Sequence, residues 1–372
     1  MKKIGLITYH NAYNFGSVLQ TFATQKIIKD LGHECIVLNY ITQSQKKFYS
    51  LYKFTSIKEL IIDFFKLPFH VLRTISINRF ESFIKEKFTL TEEVNEPELI
   101  VNQFNNFDVL VSGSDQILNK HSCELNDVDW KYMNPYLLKG FKGKKVSYAS
   151  SLANMTDEEI NLIKNDLQLF DSFSLREQSD LSRVEIILQK AVETVCDPTF
   201  LLSKQQWEQA LELNEGNNDY ILFYSLNKSF INTPRVKKII KNLSKRTGLK
   251  VKLVTPFQYF YFCDNKMITC YEYGPIEFMS ALKNARYVIT DSYHGTILSI
   301  NFNKDFYSLC KNSGSEHRKT DVMNRLGVAN RIIQDFEELN DLELSSIDYE
   351  NINQKIEEFR NNSLRYLKES LM

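Results

Sequence analysis

Residues 1–40 alternate between strand and helix patterns, and this alternation constrains the fold more than any other feature of the sequence. Residues 3–8 form a β-rich run, and after a polar turn residues 18–31 carry apolar side chains at helical spacing, ending at Gly32. A second β-rich run covers residues 35–40. A strand, a helix and a second strand in this order form the βαβ unit from which parallel sheets are built. We therefore predict an α/β fold.

The alternation restarts in the second half of the chain, after the polar stretch 213–219. Strands are predicted at 107–111, 145–149, 172–175 and 193–196 before it and at 220–224, 250–254 and 287–290 after it. At roughly 100–200 residues per domain, 372 residues correspond to two domains. The predicted division is an N-terminal α/β domain at 1–212 with a helical insertion near 42–100, a C-terminal α/β domain at 213–345, and an amphipathic helix at 346–372.

The composition excludes several classes of protein. The 46 Lys and Arg residues balance 46 Asp and Glu residues, so the chain has no general attraction to nucleic acid and any anion site is local. No apolar run reaches the about 18 residues of a membrane span, and the N-terminal segment has no apolar signal core, which predicts a cytoplasmic protein. The six cysteines contain no CxxC pair, which favours reduced thiols over a zinc site.

The predicted insertion is rich in basic residues. Between residues 46 and 87 there are nine Lys or Arg residues and four acidic ones, with Phe and Tyr interleaved. The pattern is typical of a solvated helical hairpin with an aromatic underside, which is the interpretation we favour. The alternative is peripheral contact with the anionic inner surface of the membrane.

Polar residues follow the first strand, where the first helix begins. This turn contains Asn14, Gly16 and Ser17. A glycine at a helix start leaves backbone N–H groups open to an anion or a sugar hydroxyl. The alternative is an ordinary turn with a helix cap. No GxGxxG pattern is present, so the dinucleotide fingerprint is absent.

Two further strand ends in the N-terminal half carry functional groups. The strand at 107–111 is followed by Ser114, Asp115 and Gln116, which are suited to binding vicinal hydroxyls or to forming an Asx turn. The strand at 172–175 is followed by Arg176, whose planar guanidinium suits a carboxylate or phosphate. An internal ion pair is the alternative for Arg176.

The strand end at 287–290 is the most informative one. It is followed by Ser292, His294, Gly295 and Thr296, with a helix predicted from 296. The positive end of a helix attracts an anion, and hydroxyls add hydrogen bonds. A histidine at such a place is suited to binding an anion or to acid–base catalysis.

Two other segments have a possible chemical role. Residues 311–319 predict a flexible basic loop, which is either solvated or closes over an anion through Arg318 and Lys319. Asp127-Val128-Asp129 is a DxD sequence of the kind that holds a metal–diphosphate in some glycosyltransferases, but it is short and we assign it no function. We expect no metal site.

Read in order, these strand ends resemble the polysaccharide pyruvyl transferase family. The matching stretches are HNAYNFGSVLQTFATQ, VSGSDQILN, VSYASSL, FSLREQS, CDPTFLL, GPIEFMSALKNARYVITDSYHGTILSINFNKDF and NRLGV. The resemblance implies two Rossmann-like domains that face a central cleft, as in GT-B-type glycosyltransferases, with the C-terminal helix packing back on the N-terminal domain. It places the acceptor on the N-terminal side and the donor on the C-terminal side.

The resemblance also implies a reaction. Phosphoenolpyruvate is the donor and co-substrate, with no further cofactor, and a sugar of a cell-surface polysaccharide or of its lipid-linked precursor is the acceptor. Pyruvate is transferred as a ketal onto two sugar hydroxyls and phosphate is released. By motif position, His294 is the implied acid–base residue and Arg176 the implied ligand of a donor anion.

The chain departs from the family pattern at two positions. Ser292 stands where some members have an arginine, so Arg318 or Lys319 is expected to supply that anionic contact. Leu118 stands where many members have a tryptophan, so stacking on the acceptor is not expected there. Two alternative functions remain open: a GT-B-type glycosyltransferase that uses a nucleotide sugar, and a non-catalytic sugar-binding protein.

Overall fold

The chain folds into two compact α/β units. The computed structural model describes residues 1–50, 57–122, 130–217, 219–227, 231, 233–256, 267–310, 317–334 and 345–372, with only the backbone of 57–69. The first unit consists of Met1–Ser50, Ile84–Leu202 and Glu357–Met372, and the second of Leu51–Phe83 and Ser203–Ile356. The predicted α/β class is confirmed.

The first unit contains a parallel sheet built on the predicted βαβ unit. Its strands are β1 (Lys3–Ile7), β2 (Glu34–Val37), β3 (Val109–Ser112) and β4 (Lys144–Ser147), in the order β2-β1-β3-β4. Helix α1 (Phe15–Asp30) joins β1 to β2 and begins three residues earlier than its apolar spacing predicts, because Asn14 caps it. All three pairings are parallel.

Two short strands form a separate pair beside this sheet. They are β5 (Ser174–Leu175) and β6 (Glu193–Thr194), which pair in parallel. Bridges from 146 to 172 and from 150 to 175 place β5 beside β4. In the order β2-β1-β3-β4, the direction in which successive strands are added reverses between β1 and β3. Open parallel sheets bind ligands at such a reversal, beyond the carboxyl ends of the strands.

Six α-helices lie between residues 43 and 201 of the described chain. Their bounds are α2 (Gln43–Tyr49), α3 (Ile57–Lys87), α4 (Pro97–Gln103), α5 (Asp157–Gln168), α6 (Leu181–Leu188) and α7 (Pro198–Leu201). Helix α5 begins with a capping box: the Thr156 hydroxyl accepts from the backbone N–H of Glu159, and the Glu159 side chain accepts from the backbone N–H of Thr156.

The second unit contains a larger parallel sheet. Its strands are β7 (Tyr220–Tyr224), β8 (Lys250–Val254), β9 (Met267–Thr269), β10 (Tyr287–Thr290), β11 (Asp305–Leu309) and β12 (Ile332–Ile333), in the order β12-β11-β10-β7-β8-β9. The helices are α8 (Lys204–Ala210), α9 (Pro234–Thr247), α10 (Pro275–Lys283), α11 (Tyr293–Asn301) and α12 (His317–Leu326). This is the strand order of a doubly wound nucleotide-binding fold, with the reversal between β7 and β10.

The terminal helix α13 (Glu350–Leu371) packs on the first unit, as predicted. The Tyr366 hydroxyl donates to the carbonyl of Ser147 at 2.8 Å, at the end of β4. The Ser363 hydroxyl accepts from the backbone N–H of Cys196 at 2.8 Å, and Arg360 Nε donates to the carbonyl of Phe200 at 2.6 Å. The last turns of the chain therefore fix the strand ends and loops of the first sheet.

Two segments that the sequence places in the N-terminal domain have contacts in the second unit. Lys283 of α10 donates to the carbonyl of Leu213 at 3.0 Å and pairs with Glu208 of α8 at 3.5 Å. Ser76 of α3 donates to the carbonyl of Tyr273 at 2.8 Å, and Arg79 to that of Glu272 at 2.9 Å. These contacts place α8 and the part of α3 up to residue 83 with the second sheet.

The basic insertion contains helices, as predicted. Lys46 forms an ion pair with Glu93 at 2.6 Å, and Arg79 forms one with Glu277 at 3.2 Å, so these two basic side chains have acidic partners within their own units. In the part of the chain that the structure describes, no helix is both long and apolar enough to cross a membrane. Peripheral membrane contact stays a prediction.

The packing of α13 can be tested with a pair of leucines. Leu367 is fully buried (0% exposed), whereas Leu162 on α5 is 71% exposed. We expect Leu367→Ala to lower the free energy of unfolding by about 2–5 kcal/mol because it leaves a cavity. Leu162→Ala is expected to change it by less than about 0.5 kcal/mol. Chemical denaturation measures both, and equal effects would show that α13 does not contribute to the core.

Candidate functional site

In the first unit, the start of α1 meets the end of β3. The side-chain oxygen of Asn14 accepts from the backbone N–H of Gly16 at 2.9 Å and so caps the helix. One residue further on, the Ser17 hydroxyl donates to Oδ2 of Asp115 at 3.0 Å. Two of the segments predicted to bind the acceptor are therefore joined by a direct hydrogen bond at the reversal of the strand order.

The residues after β3 divide into interior and edge positions. Ser114 is fully buried, and its hydroxyl donates to the carbonyl of Ala149 at 2.9 Å. Asp115 has a left-handed backbone (φ 69°) and retains some exposure, and its Oδ1 accepts from the backbone of Gln116 at 2.9 Å. A Cβ on Gly113 would lie 2.0 Å from the carbonyl oxygen of Tyr148, so only glycine fits there. The edge therefore presents Asp115 more than Ser114.

Arg176 lies in a ring of carboxylates. Its Nη1 donates to Oδ2 of Asp197 at 2.9 Å and its Nε to Oε1 of Glu177 at 3.2 Å, while Nη2 lies 3.9 Å from Oδ1 of Asp115. The Arg176 side chain is only 2% exposed. Its positive charge is thus compensated within the first unit, which is the internal ion pairing that the sequence left open.

Asp197 and Glu177 are members of this edge that the sequence analysis did not select. Asp197 closes the network by accepting at Oδ1 from the backbone and the hydroxyl of Thr199, at 2.9 and 2.7 Å. Its position shortly after β6 is the signal that would have identified it. Asp197 and Glu177 are buried against Arg176, so of the three carboxylates only Asp115 retains exposure and can accept hydrogen bonds from a ligand.

In the second unit, β10 leads directly into a capped helix. The Ser292 hydroxyl accepts from the backbone N–H of Gly295 at 3.2 Å, and the Thr290 hydroxyl accepts from that of Ser292 at 3.0 Å. Because the cap is Ser292, α11 starts at Tyr293, three residues before the predicted start. His294 therefore lies in the first helical turn, where it is 7% exposed and packs edge-on against the Tyr293 ring at a centroid distance of 5.3 Å.

Gly295 and Thr296 have interior contacts. A Cβ on Gly295 would lie 2.6 Å from Oγ1 of Thr290, so the glycine allows the helix to approach the strand closely. The Thr296 hydroxyl donates to the carbonyl of Ser292 at 2.9 Å and shares a hydrogen bond with the Ser308 hydroxyl, also at 2.9 Å. These contacts shape the start of α11, and the role of both residues in donor binding stays a prediction.

Arg318 and Lys319 are helical, so the prediction of a flexible loop is wrong for residues 317–319. The helix forms because Val322, Met323 and Leu326 are buried at helical spacing. Residues 311–316 lie outside the described part of the chain.

The first turn of α12 lies at the carboxyl ends of β10 and β11. Lys319 Nζ donates to the carbonyl of Asp291 at 2.9 Å and to that of Leu309 at 2.7 Å. The Arg318 guanidinium lies 5.9 Å from the centroid of the Tyr293 ring. The structure therefore brings Arg318 and Lys319 to the edge that carries Ser292 and His294.

Asp291 is a third residue that the sequence analysis did not select. Its carboxylate accepts from the Ser225 hydroxyl at 2.5 Å, from the backbone of Leu226 at 2.7 Å and from that of Asn227 at 2.9 Å. Burial raises the pKa of the Asp291 carboxyl above its ordinary value, although these donors and Lys319 oppose the shift. Its place directly after β10 was the available signal.

The described residues give no indication of a metal centre. Among them, no group of three or more His, Cys, Asp or Glu side chains is arranged to hold a metal ion, and the DxD sequence at 127–129 lies outside them. The absence of a cofactor stays a prediction. Leu118 is fully buried in the core of the first unit, so its side chain serves packing rather than stacking on a ligand.

The fold is that of GT-B-type glycosyltransferases and sugar-nucleotide epimerases. The chain is similar to Arabidopsis thaliana UGT89C1 complexed with UDP-L-rhamnose, with 11% identity, 100% of this chain and 99% of that chain covered, and a TM-score of 0.51. It is also similar to the Methanocaldococcus jannaschii UDP-GlcNAc 2-epimerase in complex with UDP-GlcNAc and UDP, with 12% identity, coverage of 96% and 92%, and a TM-score of 0.50. At such identities the likeness shows the fold alone.

Within this fold class, the sequence identifies the family. The model of the polysaccharide pyruvyl transferase family matches residues 14–309, which is most of the chain and includes Asp115, Arg176 and His294. The chain belongs to this family. No curated protein sequence gives a significant match.

The carboxylate ring around Arg176 predicts an unequal effect of two aspartate substitutions. We expect Asp197→Ala to lower the free energy of unfolding by about 3–5 kcal/mol, because it removes one partner of a buried ion pair. Asp30→Ala removes the partner of Lys26 in an exposed pair at 3.0 Å and is expected to cost less than about 0.5 kcal/mol. Chemical denaturation compares the two, and a small cost for Asp197→Ala would contradict the ion-pair network.

Proposed function

We propose that this protein transfers pyruvate from phosphoenolpyruvate, as a ketal, onto two hydroxyls of a sugar in a cell-surface polysaccharide or in its lipid-linked precursor. The observation that carries the proposal is the meeting of His294, Arg318 and Lys319 at the carboxyl edge of the second sheet, in a chain that belongs to the polysaccharide pyruvyl transferase family. We assign the donor to this edge and the acceptor to the edge of the first sheet.

The charge at the second edge supports a small anionic donor. Phosphoenolpyruvate carries a phosphate and a carboxylate, and a chain with zero net charge can attract it only through local cations. Lys319 is held in place by two backbone carbonyls, and Arg318 lies over the ring next to His294. The first turn of α11 adds the positive end of a helix. We propose that these groups supply the anion contact of the arginine that some members of the family have where this chain has Ser292.

The reaction has two steps, and His294 is suited to move the protons. In the first, a sugar hydroxyl adds across the donor double bond: its oxygen bonds to the carbon that bears the phosphate, and a proton is delivered to the methylene, which becomes a methyl group. In the second, the other hydroxyl displaces phosphate from the same carbon. We propose that His294 donates the methylene proton in the first step and recovers a proton from the second hydroxyl in the second step, while the proton of the first hydroxyl leaves with the phosphate.

The acceptor edge supports binding of hydroxyl groups. We propose that Asp115 accepts hydrogen bonds from the sugar, with Asn14 and Gln116 beside it at the edge and the buried Gly16, Ser17 and Ser114 shaping the backbone behind them. The three carboxylates around Arg176 support a positioning role for this residue, because its guanidinium lies 3.9 Å from Asp115 while Asp197 and Glu177 hold its other nitrogens. Direct contact of Arg176 with the donor, which the family resemblance implies, stays a prediction.

The proposed reaction takes place in the cytoplasm, where phosphoenolpyruvate is available. A lipid-linked acceptor would bring the protein to the inner membrane surface, and the basic insertion between residues 46 and 87 is the segment we propose for that contact. Binding to vesicles with and without anionic lipid tests this part of the proposal separately from the reaction.

The function is tested by phosphate release from phosphoenolpyruvate in the presence of candidate nucleotide-linked and lipid-linked sugars. His294→Ala is expected to slow release by at least about 100-fold, because it removes the proposed proton donor and acceptor. The melting temperature is expected to stay close to that of the unmodified protein. The control is His121→Ala, which changes an exposed histidine paired with Glu159 in the first unit.

Three results would count against this assignment. Folded protein that releases no phosphate with any sugar contradicts pyruvyl transfer. A large loss of stability in His294→Ala indicates a structural histidine instead. Tight binding of a nucleoside diphosphate without binding of phosphoenolpyruvate would favour a nucleotide-sugar glycosyltransferase, in keeping with the nucleotide sugars bound by the two fold neighbours.

The donor edge is tested with two arginines of one helix. Arg318 lies in the first turn of α12 beside Tyr293, whereas Arg325 is exposed in its last turn. We expect Arg318→Ala to raise the KM for phosphoenolpyruvate by about tenfold or more, because a charge-assisted contact is lost. Arg325→Ala is expected to leave KM unchanged. Equal KM values in steady-state kinetics would remove Arg318 from the donor site.

A further inference from the structure

The reversal of the second sheet contains an anion-binding cradle that is already filled. The strand order changes direction between β7 and β10, and the backbone after β7 enters the space beyond the two strands. There the consecutive N–H groups of Leu226 and Asn227 both point to one carboxylate, that of Asp291, at 2.7 and 2.9 Å. Consecutive N–H groups of this kind form a concave site for anions such as phosphate.

Asp291 is firmly held in this cradle. Besides the two N–H groups, the Ser225 hydroxyl donates to its carboxylate at 2.5 Å. Its own carbonyl accepts from Lys319 Nζ at 2.9 Å, and the next residue along the chain, Ser292, caps α11. The carboxylate therefore connects the ends of β7 and β10 from within the fold, immediately beside the edge that carries His294.

The position of Asp291 matters because doubly wound sheets bind the phosphates of a nucleotide at this point. In such sheets the loop after the first strand presents its backbone N–H groups to the phosphates of a nucleotide, at the reversal of the strand order. In this chain β7 is that first strand, and the N–H groups of Leu226 and Asn227 are used by an internal negative charge. A phosphate in the same place would lose those donors and would meet the carboxylate at close range.

We propose that Asp291 determines the class of donor: its carboxylate occupies the cradle after β7, so that this edge accepts a donor with a single phosphate group and excludes the second phosphate of a nucleoside diphosphate. The inference rests on the proposed function in that it takes the carboxyl edge of the second sheet as the donor side. It adds to that function a residue that selects phosphoenolpyruvate over nucleotide sugars, in a fold shared with proteins that bind nucleotide sugars.

The direct test measures binding of inorganic phosphate, pyrophosphate and UDP by isothermal titration calorimetry. We expect the unmodified protein to bind phosphate and phosphoenolpyruvate at concentrations where pyrophosphate and UDP give no signal. Asp291→Asn removes the charge and keeps the volume, whereas Asp291→Ala removes both. Each is expected to increase the affinity for pyrophosphate by about tenfold or more, and the affinity for phosphate by less.

A matched control accounts for the change in overall charge. Asp219 is exposed and precedes β7, at the opposite edge of the same sheet, so Asp219→Asn removes the same charge away from the cradle. This variant is expected to bind pyrophosphate no better than the unmodified protein. Asp291→Asn keeps the shape of the side chain but turns one accepting oxygen into an amide NH2 group, so the melting temperature is measured to verify that each variant folds.

Two outcomes overturn the inference. It fails if the unmodified protein binds UDP or pyrophosphate as tightly as phosphate, a result that needs no variant. It also fails if folded Asp291→Asn or Asp291→Ala gains no more affinity for pyrophosphate than Asp219→Asn. These binding results are independent of turnover: absence of phosphate release with every sugar would reject the proposed function and leave the comparison of phosphate with pyrophosphate in place.

Discussion

Parallel pairing is the constraint on which the rest of this structure depends. The strands of both sheets pair in parallel, so every strand in a sheet ends at the same edge. Residues as far apart in the chain as Ser17, Asp115 and Arg176 meet at one such edge. A functional site in this architecture is assembled from the residues that follow strands, and the helices that begin there determine which polar groups remain accessible.

The two edges differ in charge although the whole chain is neutral. The edge of the first sheet holds one arginine among three carboxylates, and the edge of the second holds the cations of Arg318 and Lys319 beside His294. Asp115, the partly exposed carboxylate of the first edge, is suited to accept from neutral hydroxyl groups, and the cations of the second edge are suited to a small anion. The balanced composition therefore conceals a difference in local charge between the two edges, which fits the proposed transfer from an anionic donor to a sugar.

The sequence predicted the architecture well, because alternating β-rich and helical periods are local signals. Strands such as β7, β8 and β10 were predicted with their observed bounds, and the start of α11 was misplaced only because Ser292 is the cap. Side-chain partners were less predictable. The burial of Lys319 and the carboxylates around Arg176 depend on contacts between residues that only the sheet order brings together. The assignment of α8 to the second unit has the same cause, since it rests on Lys283.

The two hydrogen bonds of Lys319 have a consequence for the entropy of ligand binding. A lysine side chain loses up to about 2 kcal/mol of rotamer freedom when it is immobilised, and on an open surface that loss would oppose ligand binding. Here the ammonium group is already fixed between the carbonyls of Asp291 and Leu309. The side chain therefore loses this freedom when the chain folds, and in the proposed donor site its charge is preorganised for an anion. Arginine is not an equivalent replacement, because its planar guanidinium differs in size and donor geometry from the compact ammonium that lies between these two carbonyl oxygens.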